Sequence, residues 1–232
     1  MAKRFMALIT AILSSGLLMA SGASAVPLTY TLNTVFNGAT PTSTSPWLTA
    51  TFTQISLSQV TLTLTSSLSV ASEFIDEVAF NVNPSITPST LAIAQNPAVN
   101  PLAVSILHTT QNGQNLGGGG SAGFGFDIDI QWAQSAGAGR FDGTDSVSFD
   151  LSLASGLLVT DFDFTNTGSA AAHFAAHIQG IPLTVGTTSG AVKDGLQPLP
   201  PTAVPEPSTL LLIGSGLLFL GAGRGLFKRA SR

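Results

Sequence analysis

The 232-residue chain is 44% hydrophobic and 9% charged, has no cysteine and carries a formal charge of −4. Six of its eight basic residues (Lys3, Arg4, Arg224, Lys228, Arg229 and Arg232) lie in the two terminal segments, so residues 26–204 hold two basic against eleven acidic side chains, a net −9. That balance excludes nucleic-acid binding, which needs a basic face, and the missing cysteines exclude thiol chemistry and a small disulfide scaffold.

The first segment has a signal-peptide layout. Lys3 and Arg4 precede an uncharged run over 5–19, too short for a spanning helix, and small residues follow, with Ala23 and Ala25 filling an A-x-A cleavage site before Val26. Residues 1–25 are therefore expected to be a signal helix removed on export.

Residues 26–195 are expected to form one β body. Val60, Leu62 and Leu64 alternate with Thr61 and Thr63, and Val147, Phe149, Leu151 and Leu153 alternate with Ser148, Asp150 and Ser152. This period of two predicts antiparallel strands with one face buried. Further strands are expected over 28–36, 47–53, 74–82, 102–107, 124–132, 160–164 and 174–181, about nine in all, with turn-forming residues such as Asn37-Gly38, Asn83-Pro84, Asn112-Gly113 and Asp142-Gly143 between them. The expected fold class is all-β, an antiparallel β-sandwich with the jelly roll as one form.

Within the body, Asp142, Asp145 and Asp150 offer oxygen ligands for calcium, but their spacing fits no EF-hand, and a turn at Asp142-Gly143 is the simpler expectation. Asp127 with Asp129, and Asp161 with Asp163, alternate with apolar residues and are expected on solvated faces rather than as a glycosidase pair. His173 and His177 would ligate one metal on a helix; on a strand they lie about 13 Å apart. His108 is isolated. The Gly117 to Gly120 run has no phosphate-loop context, no Gly-x-Ser-x-Gly elbow on a strand-to-helix turn appears, and Trp47 and Trp132 are expected in the core. No catalytic, cofactor or metal residue is assigned, and the body is expected not to be an enzyme.

Prolines at 198, 200, 201, 205 and 207 make 196–207 an extended linker. It ends in Pro205-Glu206-Pro207. Residues 208–223 are uncharged, 16 residues rising about 24 Å as a helix, and the basic stop Arg224, Lys228, Arg229 and Arg232 follows. A single transmembrane helix over 208–232 is expected, with the basic end in the cytoplasm and the body across the membrane. This motif, apolar stretch and basic end together resemble the PEP-CTERM sorting signal.

The resemblance implies that an exosortase, a membrane-embedded cysteine peptidase, reads the tail and cleaves near Pro205-Glu206-Pro207. It also implies a transient membrane anchor, followed by a place on the cell surface or in the extracellular matrix in association with exopolysaccharide. A non-catalytic matrix protein is the leading expectation. The alternatives are a secreted carbohydrate- or calcium-binding module and, behind it, a glycan hydrolase. A permanent single-pass anchor is the competing account of the tail.

Overall fold

The computed structural model describes residues 26–117, 125–135, 139–166 and 171–195, all within the compact unit Ala25–Pro201. The signal segment with Ala23 and Ala25, the sorting motif Pro205, Glu206 and Pro207, and the basic stop Arg224, Lys228, Arg229 and Arg232 lie outside the described residues. Among the described residues no helix is long and apolar enough to cross a membrane.

The alternating segments become strands as expected. The chain runs through β1 (Leu28–Gly38), β2 (Leu48–Ser56), β3 (Gln59–Ser66), β4 (Phe74–Phe80), β5 (Ala92–Gln95), β6 (Ser105–Leu107), β7 (Gln114–Asn115), β8 (Gly125–Phe126), β9 (Ile128–Gln131), β10 (Phe141–Asp142), β11 (Ser146–Ser152), β12 (Phe174–Pro182) and β13 (Thr187–Asp194). Leu48, Ala50 and Phe52 of β2, Val60, Leu62 and Leu64 of β3, and Val147, Phe149 and Leu151 of β11 are buried, and Leu153 is half-buried against them. Their outward neighbours bond across strands, with Thr63 Oγ1 3.0 Å from Ser148 Oγ and Thr61 Oγ1 donating to Asp150 Oδ1 at 2.8 Å. Each such pair adds a few tenths of a kcal/mol to the register set by the apolar face.

Eleven of these strands build one sheet rather than the two of a sandwich, and β7 and β8 form a separate two-stranded ribbon. The antiparallel order of the sheet is β5-β11-β3-β2-β1-β13-β12-β4-β9-β6, with β10 added beside β4. The edge strands β5 and β6 are consecutive in the chain, and Gln95 at the end of β5 donates to the carbonyls of Val99 and Pro101 on the loop leading to β6. Trp132, just after β9, meets Phe149 of β11 edge to face at 6.1 Å. The sheet is thus nearly barrel-shaped, and a single core fills its concave side. Curling brings residues near the two ends of the sheet, Trp132 and Phe149, into contact across the core.

Two strand expectations are corrected. Residues 160–164 do not form a strand, because Val159–Phe162 is a 3-10 turn whose Asp161 accepts from the Leu158 N–H at 2.9 Å. The acidic residues of 127–129 do not face solvent either. Asp127 and Asp129 are 4% and 2% exposed, because the β7-β8 ribbon supplies Leu116 and Phe126 to a second small cluster with Ala79, Ala172, Ala175 and Ala191. Asp127 accepts the N–H groups of Val82 and Asn112 at 2.9 and 2.7 Å, which offsets its burial.

Candidate functional site

The acidic pair Asp76-Glu77 of β4 organises the cluster. Along β4 the core residues are Ile75, Val78 and Phe80, a spacing that a regular strand does not give. The pairing with β12 explains it. His177 faces Glu77 and Ile178 faces Ile75, so Asp76 is an extra residue in a β-bulge. A bulge re-aims side chains, and here it lets two consecutive carboxylates line one cavity of about 330 Å³ with Gly117, Gln131, Trp132, Gln134, His177 and Gln179.

The lining has a defined internal order. Asp76 Oδ2 accepts from Gln134 Nε2 at 2.9 Å and from Gln179 Nε2. Its Oδ1 lies 2.8 Å from His177 Nδ1, an ion-pair distance out of line for a hydrogen bond. Glu77 accepts the Gly117 N–H, and a Cβ at residue 117 would stand 2.6 Å from the Glu77 carboxylate, so glycine permits this approach. Gln131 Nε2 donates to Asp129 at 2.7 Å, and Arg140 holds the carbonyl of Gln134 from outside while its guanidinium stacks 3.8 Å over Phe74.

No lysine or arginine lines the cavity, and the imidazole of His177 lies against Asp76. Burial first, then the charge of Asp129 and that of Asp76, push the Glu77 carboxyl up to about 8 against the pull of the Gly117 N–H. Asp129 is pushed up to about 6, burial outweighing the hydrogen bonds from Gln131 and Glu77. Both shifts favour the protonated form of these carboxyls. His177 Nε2 and Trp132 Nε1 are buried without a hydrogen-bond partner.

The other sequence candidates fall elsewhere. His173 and His177 do not share a site, because His173 Nδ1 contacts Asp194 at 2.9 Å and its Nε2 lies 3.5 Å from Asp163. Burial raises the Asp194 carboxyl, but the His173 side chain and the N–H groups of Phe174 and His173 outweigh it and hold Asp194 below the usual carboxylate range. Tyr30 stacks on that imidazole at 5.0 Å and donates to the Phe162 carbonyl and to Asp163, and burial with the Asp163 charge drives its phenol upward. Asp161 and Asp163 thus brace a turn and a histidine rather than lie on a strand face.

Asp142 and Asp145 close the Asp142-Gly143 turn on each other's backbone, while Asp150 bonds Thr61 and Asn96, so the three do not gather. His108 Nδ1 lies 3.0 Å from the Pro88 carbonyl. Trp47 and Trp132 are both buried, as expected. Among the described residues no group of three metal-ligating acidic or histidine side chains converges.

Residues 203–228 match the family model of the PEP-CTERM protein-sorting motif. The chain carries a PEP-CTERM sorting signal. Such a signal supports an exported protein sorted by an exosortase, and the match covers Pro205, Glu206, Pro207, Arg224 and Lys228. Neither a curated protein nor a solved structure matches the chain.

Proposed function

We propose that this PEP-CTERM protein is a non-catalytic component of the cell surface or extracellular matrix, anchored transiently by 208–232 and associated with exopolysaccharide after exosortase cleavage. The observation that carries the reading is the sorting motif at 203–228. The body supports the non-catalytic part. The cavity lining contains no serine, threonine, cysteine or lysine to act as nucleophile.

Fractionation of native cells with mass spectrometry of both mature termini tests the reading. The expected product begins at Val26, lacks 224–232 and lies in the surface or extracellular fraction. Recovery of a mature chain that keeps 5–19 or 224–232 overturns it.

A further inference from the structure

Two adjoining loops of the body carry apolar side chains into solvent. Ile55 and Leu57, at the turn from β2 to β3, are 56% and 83% exposed, and Leu158, just before the 3-10 turn, is 48% exposed. The loops are held together, the Leu157 N–H donating to the Leu57 carbonyl at 3.0 Å and Gln54 Nε2 to the Leu157 carbonyl at 2.7 Å. Neither 54–60 nor 151–160 contains a charged residue. Single exposed leucines are ordinary, whereas several on adjoining uncharged loops form the kind of patch that marks an interaction surface.

Strand direction says what this end of the body faces. β1 is antiparallel to both β2 and β13, so β13 runs toward the same end as β2. Its last residue, Asp194, contacts His173, whose Nε2 lies 3.5 Å from Asp163, and Asp163 follows the 3-10 turn that Leu158 opens. The chain therefore leaves the sheet on the side of the apolar loops. Beyond come the linker 196–207, about 37 Å long when extended at about 3.1 Å per residue, and the apolar stretch 208–223. A bilayer holding that stretch stays within a short tether of the loops, so even a weak contact is populated.

The chemistry of the loops fits the acyl boundary rather than the headgroup charge. The body's net −9 is repelled by anionic lipid. Asp161 and Asp163, the next acids after Leu158, are engaged by the Leu158 N–H and Asn83 and by Tyr30 and His173. Leucine and isoleucine on uncharged loops can enter the interface without carrying a charge with them.

We propose that Ile55, Leu57 and Leu158 dock the body on the lipid bilayer that holds its tail, with these side chains seated at the acyl boundary. The inference rests on the reading of 208–232 as a membrane anchor and adds a second, reversible contact made by the body itself. The β12–β13 turn, with Leu183 and Val185 54% and 88% exposed, lies at the far end of β13 and serves as the control.

The chain has no cysteine, so Ser58→Cys beside Leu57, or Thr184→Cys between Leu183 and Val185, carries one environment-sensitive fluorophore. The full-length chain is reconstituted into phosphatidylcholine vesicles, with or without a lipid bearing a nitroxide near the headgroup. The probe on Ser58→Cys should shift to the blue and lose intensity to the nitroxide lipid, whereas the probe on Thr184→Cys should do neither. Adding Leu57→Ser and Leu158→Ser, both at exposed positions, should abolish the quenching and leave the thermal midpoint unchanged.

A probe on Ser58→Cys that is quenched no more than the one on Thr184→Cys overturns the proposal, as does quenching that survives the serine substitutions. A blue shift without nitroxide quenching, accompanied by disulfide-linked dimers of unlabelled Ser58→Cys, overturns it in favour of a second copy. Flotation with the vesicles reports the anchor separately. A chain that floats without quenching keeps the anchor and loses the docking, and one that does not float loses both.

Discussion

Phe149 shows how far one side chain carries the core. It is fully buried on β11, faces Leu62 of β3 and Gln95 of β5 in register, and meets the Trp132 ring edge to face. Phe149→Ala leaves a cavity where strands from the two ends of the sheet converge, and should cost about 3–5 kcal/mol, read as a lower denaturation midpoint; an unchanged midpoint contradicts the packing. Glu77 acts through its proton. The unfolded chain releases the protons of Glu77 and Asp129 near 4.5 and 3.8, whereas the folded chain keeps them to about 8 and about 6. The folded state binds more protons between these values, so the stability they contribute is complete below the unfolded values and is lost as pH rises through the folded ones. Asp194 has the opposite sign and acts only in acid. Stability, and with it the thermal midpoint, should therefore fall between about pH 5 and about pH 9. Glu77→Gln can accept from Gly117 and donate to Asp129, and should flatten most of that slope. A midpoint that rises over the interval, or a variant with the wild-type slope, refutes the assignment.

Among the elements, β13 joins the two halves of the sheet, pairing with β1 on one side and β12 on the other. Gly190 sits where it crosses the end of β1. A Cβ there would meet the Ala39 carbonyl oxygen at 2.0 Å, and Ala39 is itself tied to Ser189 by a 3.1 Å backbone hydrogen bond. Gly190→Ala must push the strands apart and should cost about 1–3 kcal/mol, with amide hydrogen exchange faster in β1 and β13 than in β3; uniform exchange would show that the join is looser than its geometry implies. This strand was not legible in the sequence, since Thr187, Thr188, Ser189 and Gly190 show no apolar alternation and a glycine usually marks a strand's weak point. By contrast β2, β3 and β11, each with a polar outer face, follow the period of two residue by residue. The site was hidden for a related reason. Alternation assigns Asp76 and Glu77 to opposite faces, and only the bulge against His177 turns both into one cavity. Asp127 and Asp129 were misplaced because a strand pattern shows which residues share a face and not what covers it. The β7-β8 ribbon that covers them has too few residues to carry a period.

For the whole molecule, the division of charge matches the division of labour. The body, with eleven of the twelve acidic residues and two basic ones, folds around one main core, whereas the other six basic residues stand in the terminal segments. Among the described residues the core is built from the body's own strands, so a change in the tail should alter where the protein goes rather than whether it folds. Glu206 is the only charge in Pro205-Glu206-Pro207. Glu206→Ala keeps the apolar stretch and the basic stop, so if an exosortase reads the motif this variant should accumulate uncleaved in the membrane with its body outside. Deletion of 210–232 removes the hydrophobic anchor, and that variant should pass into the soluble exported fraction with the same body stability as the processed wild type. A permanent anchor gives a different pair of results, a wild type that stays full length and a Glu206→Ala variant identical to it. Immunoblots of membrane and extracellular fractions, with intact-mass measurement of each band, separate the two accounts. Wild-type protein that retains 224–232 in native cells contradicts processing and leaves only the single-pass anchor.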